Sequence, residues 1–93
     1  MLQFEWDESK NQANIKKHGI SFEEATSVFD EEDTLTIFDK LHSQEEDRFL
    51  LIGFSYKQNL LVVCHCYRQN GAVIRIISAR KATKTEEKNY VRN

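Results

Sequence analysis

Four arginines stand at or beside the ends of apolar runs in the second half of the 93-residue chain; they are Arg48, Arg68, Arg75 and Arg80. A guanidinium group is planar, stays charged at any relevant pH and binds two phosphate oxygens at once. The alternative for each arginine is an ordinary surface position, either solvated or paired with a nearby acid. The arginines therefore predict a phosphate-binding site, and the residue types alone leave open which of them form it.

His42 and His65 are the candidates for proton transfer, because imidazole changes its charge near neutral pH. Tyr67 is a third candidate. His65 has apolar neighbours, so the structural alternative is a hydrogen-bonded core histidine. His42 opens the segment "HSQEEDR" before a predicted strand, where it takes part in chemistry or helps Ser43 to cap a turn. His18, in the last turn of a predicted helix, is expected to stabilise that helix end.

The tripeptide "CHC", residues 64–66, raises the question of a metal site. Adjacent residues of a strand point to opposite faces, so Cys64 and Cys66 alone could share an ion, whereas zinc normally takes four ligands. We therefore predict no metal and no cofactor, and we interpret both cysteines as small buried apolar residues. Two positions apart on one strand, they also lack the geometry of a disulfide, which is typical of a reducing compartment.

Charge is distributed unevenly along the chain. Residues 1–55 hold 5 Lys/Arg against 13 Asp/Glu, a balance of -8, while residues 56–93 hold 8 against 2, a balance of +6. An anionic partner is therefore expected to meet the second part. Lys81 and Lys84 stand beside Arg80 and extend this basic segment, although solubility alone is the alternative use for them.

Length and hydropathy limit the class of protein. A chain of 93 residues is expected to form one domain, residues 1–93, with one modest core. No apolar run approaches the roughly 18 residues that a membrane span needs. The start "MLQFEWDESK" lacks the basic and apolar regions of a secretory signal, so we predict a cytoplasmic protein without membrane contact.

The first third of the chain predicts one strand and two helices. Alternation indicates a strand at residues 4–7, and Asp7 can cap a helix over 8–18 that ends at Gly19. Ser21 and Glu24 form a capping box for a second helix. Its apolar stripe is Phe22, Ala25, Val28 and Phe29, which predicts that it packs on the sheet.

The rest of the chain predicts strands in succession. These are residues 35–38, 48–54, 60–68 and 73–80, and a capping box of Thr83 and Glu86 then opens a short helix through Tyr90. The order predicts an α+β fold with an antiparallel sheet of four to five strands. Two N-terminal helices are expected to pack on one face of the sheet, and a short C-terminal helix is the last element of the fold.

The pair Asn70-Gly71 predicts a hairpin between the last two strands. With these two residues as the loop, Arg68 lies opposite Val73 and Cys66 opposite Arg75. Side-chain alternation then predicts the two faces of the hairpin. One face carries Cys64, Cys66, Arg68, Arg75 and Lys81, and the other carries Leu61, His65, Tyr67, Ser78 and Arg80.

Four stretches together resemble the BrnT family of toxins from bacterial type II toxin-antitoxin systems. They are "FEWDESKNQANIKKHGISFEEA", "HSQEEDRFLLIG", "LLVVCHCYR" and "IRIISARKATKTE", the last followed by Tyr90. The resemblance implies a RelE-like fold and an endoribonuclease activity that inhibits translation. It also implies a BrnA-type antitoxin with a ribbon-helix-helix domain, through which the protein would meet operator DNA only indirectly. An acidic antitoxin segment could occupy the basic surface and compete with RNA.

Cleavage of RNA without a metal ion needs a base, an acid and cations for the charge that builds on the phosphate. We therefore predict catalytic roles for Arg48, His42, His65, Arg68 and Arg80, and RNA contacts for Arg75, Lys81 and Lys84. Some members of the family carry an acid in the strand before the hairpin arginine, where this chain has Cys66 and Tyr67. The nearest acids that could replace it are Glu45, Glu46 and Asp47. A non-catalytic module that binds the antitoxin and represses transcription with it remains the alternative function.

Overall fold

The computed structural model of the protein describes residues 2–91, so Met1, Arg92 and Asn93 of the expected domain lie outside the described residues. One sheet contains five strands: β1 Gln3–Glu5, β2 Leu35–Phe38, β3 Phe49–Phe54, β4 Leu60–Arg68 and β5 Val73–Lys81. Three α-helices accompany it: α1 Glu8–His18, α2 Phe22–Thr26 and α3 Lys84–Val91. Short 3-10 turns occur at Ser27–Asp30, Lys40–His42 and Gln69–Gly71. None of the helices within residues 2–91 combines the length and the hydropathy needed to cross a membrane.

The strands lie in the order β1-β5-β4-β3-β2, and the sheet is mixed. Strands β2 to β5 are antiparallel neighbours, whereas β1 runs parallel to β5, with Phe4 opposite Ile74. The α+β class is confirmed, and the prediction of a purely antiparallel sheet is wrong. The reason is that β1 pairs with the strand furthest from it in sequence, which a succession of strands does not reveal.

Two buried asparagines attach helix α1 to the rest of the fold, Asn14 to strand β5 and Asn11 to the start of α2. Asn14 Nδ2 donates to the C=O groups of Ile20 and Ala79, both at 2.8 Å, and its Oδ1 accepts from the Ala79 N–H. Asn11 Oδ1 accepts from the Phe22 N–H at 2.8 Å. Because β1 pairs only with the first residues of β5, Asn14 satisfies backbone groups that the sheet leaves open. Asp7 caps this helix and Gly19 ends it at φ 72°, as predicted.

The second N-terminal helix is shorter than predicted. It has five residues, capped by Ser21, and the chain then tightens into the 3-10 turn Ser27–Asp30. Ser27 Oγ donates to the Glu24 C=O at 2.6 Å and accepts from the Tyr56 N–H, so this hydroxyl competes with regular helical bonding. The expected stripe is nevertheless buried, since Phe22, Ala25 and Val28 are inaccessible to water.

The sheet has a large core on one face and a small one on the other. The helix-side core joins Ile20, Phe22, Ala25 and Val28 to Leu51, Leu61, Val63, Ile74, Ile76 and Ala79 of the strands. The opposite face buries Ile52, Leu60 and Val62 under Ala82 and Tyr90. Tyr90 belongs to α3, whose Thr83 and Glu86 form the predicted capping box. Helix α3 thus covers only one end of this second face and leaves the other end for polar residues.

A β-bulge in the β4–β5 hairpin overturns part of the predicted facing. Near the turn the register is as predicted, with Arg68 opposite Val73 and Cys66 opposite Arg75. Between Cys64 and His65 the register shifts, so Cys64 lies opposite Ser78 and Val62 opposite Arg80. The extra residue of β5 reverses the side-chain alternation beyond it. Ser78 and Arg80 therefore join the face of Cys64 and Arg68, and Lys81 moves to the helix side.

Candidate active site on the arginine face

The four candidate arginines lie on one side of the sheet, and the bulge is what brings Arg80 to that side. Arg68, Arg75 and Arg80 share the face that α1 and α2 do not cover, as the cross-strand register shows. Arg48 directly precedes Phe49, whose partner His65 faces the helices, so the alternation places Arg48 on the uncovered side. We call these four residues the arginine face. Sequence reasoning had separated Arg80 from Arg68, and the structure brings them to a common face.

Glu46 lies between two of these arginines. Its carboxylate is 3.2 Å from Arg68 Nη2 and 3.9 Å from Arg48 Nη2. Burial and the Glu46 carboxylate both raise the pKa of the Cys66 thiol, so this loop carboxylate lies near one of the two strand positions, Cys66 and Tyr67, where some members of the family carry an acid. Among Glu45, Glu46 and Asp47, it is Glu46 that forms ion pairs with both Arg48 and Arg68.

Arg48 and His42 line the same cleft, which has a volume of about 280 Å³. Backbone bonds fix Arg48, because its N–H donates to Ser43 Oγ at 2.9 Å and its C=O accepts from the Asp39 N–H at 2.8 Å. Its Nε is buried and has no hydrogen-bond partner among the described residues. A buried donor without a partner is costly, so this atom marks a place where a ligand acceptor would be stabilised.

Asp39 orients the imidazole of His42. The His42 Nδ1 atom lies 2.9 Å from Asp39 Oδ2 and 3.1 Å from Oδ1, and the ring is largely exposed at the cleft. The carboxylate also complements the positive charge of the protonated ring. Asp39 was not among the predicted site residues, and its only sequence signal is its position three residues before His42.

The other two arginines lie away from this cleft. Arg75 Nη1 donates to Glu5 Oε2 at 2.8 Å, at the β1–β5 junction. Arg80 is held at the α3 end by Glu86 through two hydrogen bonds, of 2.7 and 2.9 Å. Arg80 lies opposite Val62, which is four residues along β4 from Cys66, the residue near Glu46. At the usual rise of a strand this separation is about 13 Å. The structure therefore divides the arginine face into two arginines that share Glu46, namely Arg48 and Arg68, and two arginines in separate ion pairs.

His65 lies on the opposite face from the arginines. It is 1% exposed, and its ring contacts Phe29 edge to face at a centroid distance of 4.9 Å. Its Nδ1 lies 3.1 Å from the Val63 C=O. Burial lowers the pKa of His65, because the charged ring would lose its hydration. The structure does not bring His65 to the cleft that His42 lines.

The two lysines predicted to contact RNA and the two cysteines lie outside the cleft lining. Lys81 is exposed on the helix side of β5, and Lys84 is exposed in the first turn of α3. Cys64 and Cys66 are buried free thiols. Within residues 2–91, no group of three or more His, Cys, Asp or Glu side chains is arranged to hold a metal ion. The side chains His42, Glu46 and Arg48 at the cleft are of the types that transfer protons and bind an anion.

Comparison with known proteins identifies a family and a related solved structure. The model of the family described as "Ribonuclease toxin, BrnT, of type II toxin-antitoxin system" matches residues 6–86. The crystal structure of the Brucella abortus ribonuclease toxin, BrnT, superposes with a TM-score of 0.68 at 23% sequence identity and covers 90% of this chain and 100% of that chain. No curated protein sequence matches the chain. Since the family model spans most of the chain, the resemblance is confirmed, and the protein belongs to the BrnT family of ribonuclease toxins of type II toxin-antitoxin systems.

Proposed function

We propose that the protein is an endoribonuclease that cleaves RNA without a metal ion and thereby inhibits translation in the cytoplasm. The observation that carries this proposal is the meeting of His42, Glu46 and Arg48 at one cleft, with Arg68 bonded to Glu46 at its border. These are the three kinds of group that the reaction needs, namely an acid, a base and cations.

In the proposed mechanism a phosphate of RNA binds between Arg48 and Arg68 and displaces the carboxylate of Glu46 from them. Glu46 then accepts the proton of the adjacent ribose 2'-OH, whose oxygen attacks the phosphorus. Protonated His42, oriented by Asp39, donates a proton to the departing 5'-oxygen. The reaction leaves a 2',3'-cyclic phosphate and a 5'-OH end. The two guanidinium groups stabilise the charge on the phosphate oxygens, and the unpaired Arg48 Nε adds a donor.

The test is cleavage of a single-stranded RNA by the purified protein in excess chelator. We expect cleavage to continue, because arginines supply the positive charge that a metal would otherwise provide. Glu46→Gln is expected to lower kcat about a hundredfold through loss of the base, whereas Glu87→Gln, the same exchange at an exposed position of α3, serves as the control. Activity that disappears on chelation and returns with zinc or magnesium would contradict the proposal.

The proposed partner is a BrnA-type ribbon-helix-helix antitoxin, through which the protein would reach operator DNA. Membership of a type II toxin-antitoxin family supports the existence of an antitoxin. Co-expression with the product of the neighbouring gene is expected to yield one complex on gel filtration. Separate elution of the two proteins at micromolar concentration would remove this part of the proposal.

A second candidate function is a non-catalytic module that acts only with its antitoxin in repression. One observation favours it: each arginine of the arginine face already has a carboxylate partner, namely Glu46, Glu5 or Glu86. Expression of the protein alone separates the two functions. The ribonuclease arrests growth, Arg68→Ala abolishes the arrest, and antitoxin binding survives, whereas the non-catalytic module causes no arrest.

A further inference from the structure

Strand β2 forms one edge of the sheet. The Asp39 N–H, just after β2, donates to the Arg48 C=O and so points toward β3. Inward and outward backbone groups alternate along an antiparallel strand, so the N–H and C=O groups of Thr36 and Phe38 point away from the sheet. No loop within residues 2–91 bonds to these groups. They form a short row of backbone donors and acceptors onto which another strand can add.

The side chains along this edge are apolar and exposed. Ile37 is 42% exposed and Phe38 is 48% exposed, on opposite faces of β2, and Leu41 just beyond the strand is 82% exposed. The strand "LTIF" has no lysine, no proline and no bulge, which are devices that commonly protect a free edge. Both the backbone and the side chains of β2 therefore favour pairing.

The segment around β2 is strongly acidic. Residues 30–47 contain 8 Asp/Glu and 1 Lys/Arg, a balance of -7, and β2 lies in the middle of this segment. An occupant of the edge must therefore be cationic. A second copy of this chain would bring two such acidic segments together, so it is the less complementary occupant.

A cleft at the start of β2 offers a place for a cationic side chain. Its volume is about 760 Å³, and Glu31, Glu32 and Asp33 contribute to its lining. Phe54 and Tyr90 also line it, with their rings edge to face at 5.8 Å. Carboxylates and aromatic faces both attract a guanidinium or ammonium group, so the cleft fits a long basic side chain better than an anion.

We infer that β2 is the docking edge for an extended basic segment of the antitoxin, which joins the sheet as a sixth strand and seats a lysine or arginine in the cleft beside Glu31. The inference rests on the proposed function only for the identity of the partner. Thr36 and Phe38 are not part of the lining of the cleft that contains His42 and Arg48, whereas Leu41, beyond the strand, borders it. Docking on the strand itself therefore leaves the chemistry of that cleft to other parts of the complex.

Hydrogen exchange of the backbone amides tests the pairing in the co-purified complex. The amides of Thr36 and Phe38 exchange rapidly in the free protein and are expected to be protected in the complex, because they donate to the added strand. A complex in which both amides exchange as fast as in the free protein overturns the inference and leaves the antitoxin proposal standing. Protection in the free protein, together with a dimer mass, assigns the edge to a second copy and also overturns it. If no complex forms, the inference and the antitoxin proposal fail together.

Three variants extend the test to affinity. Thr36→Pro removes an outward N–H without touching the β2–β3 ladder, and it should weaken antitoxin binding about tenfold or more. The double variant Glu31→Lys, Glu32→Lys should weaken binding most at low salt. Tyr56→Lys, at an exposed aromatic of the β3–β4 turn, is the matched control and should bind as the unaltered protein does. RNA cleavage by the three free variants should be unchanged, and equal antitoxin affinity of all three would contradict the inference.

Discussion

Arg80 and Glu86 are joined by two parallel hydrogen bonds between the end of β5 and the first turn of α3. Arg80 Nη1 lies 2.7 Å from Glu86 Oε1, and Nη2 lies 2.9 Å from Oε2. The Arg80 guanidinium holds the pKa of Glu86 at about 2, well below its usual 4.5. The fork of Arg80 is thus occupied by the helix that covers the small core, which gives this arginine a structural use that its place in the basic segment did not reveal.

The first prediction concerns this pair and pH. A carboxyl group whose pKa is lower in the folded chain stabilises the fold above its unfolded pKa of about 4.5, and the contribution disappears as pH falls toward about 2. Glu86→Gln should therefore lower the free energy of unfolding by about 1 kcal/mol at pH 7, since both groups are partly exposed. The loss should be smaller at pH 3.5. Urea unfolding at the two pH values measures it, with the exposed Glu87→Gln as control, and an equal loss at both would contradict the assignment.

The second prediction distinguishes Arg68, which is paired with Glu46, from Arg80, which is bonded to Glu86 of α3. Arg68→Lys keeps the charge but loses the planar fork, so it should lower kcat for RNA cleavage by about tenfold to a thousandfold. Arg80→Lys should instead lower the free energy of unfolding and leave kcat near normal in the folded fraction. The same assay tests the catalytic role predicted for Arg80: a loss of kcat in Arg80→Lys with a normal kcat in Arg68→Lys would move the catalytic cation to Arg80.

A further prediction concerns Lys84. Lys84→Ala, which removes only a diffuse phosphate contact, should weaken RNA binding and reduce the salt dependence of that binding by about one unit of slope.

The third prediction concerns buried His65. Its pKa is lowered in the fold by burial, so the unfolded chain takes up a proton below about pH 6.5 that the folded chain refuses. The contribution of this residue to stability is therefore greatest above pH 6.5 and decreases as pH falls below that value. His65→Phe should remove this part of the pH dependence, whereas His18→Gln should keep it. A titration of the His65 ring with a pKa above 6.5 by NMR would contradict the prediction.

The fourth prediction concerns the attachment of α1. Asn14→Ala leaves the N–H and C=O of Ala79 without partners in a buried place, which should cost roughly 2 to 3 kcal/mol of unfolding free energy. Lys16→Ala, an exposed change on the same helix, should cost little. Chemical denaturation measures both. Equal stability of the two variants would mean that water replaces the Asn14 amide without loss.

Local chemistry was sufficient to predict most elements. Asp7, Ser21 and Thr83 act as caps where their types and spacing indicated, because an N-cap satisfies backbone groups within three residues of itself. The family resemblance rested on such local stretches and was confirmed. The polar helix α1 shows the limit of this approach, since its two apolar residues, Ala13 and Ile15, are exposed, whereas Asn11 and Asn14 are buried against α2 and the sheet. Hydropathy gave no signal for that face, because amide side chains bury only where a specific backbone partner awaits them.

The sequence by itself determined the residue types of the candidate site, the strands that carry them and the register near the Asn70-Gly71 turn. Only the tertiary structure decided which side chains meet. The bulge beside Cys64 turns Arg80 to the face of Arg68, and a loop places Glu46 against that arginine. Alternation along a strand holds only until a residue is inserted, and insertion depends on packing across the sheet. Ion pairs between distant segments likewise follow from the approach of whole elements, which short-range spacing does not encode.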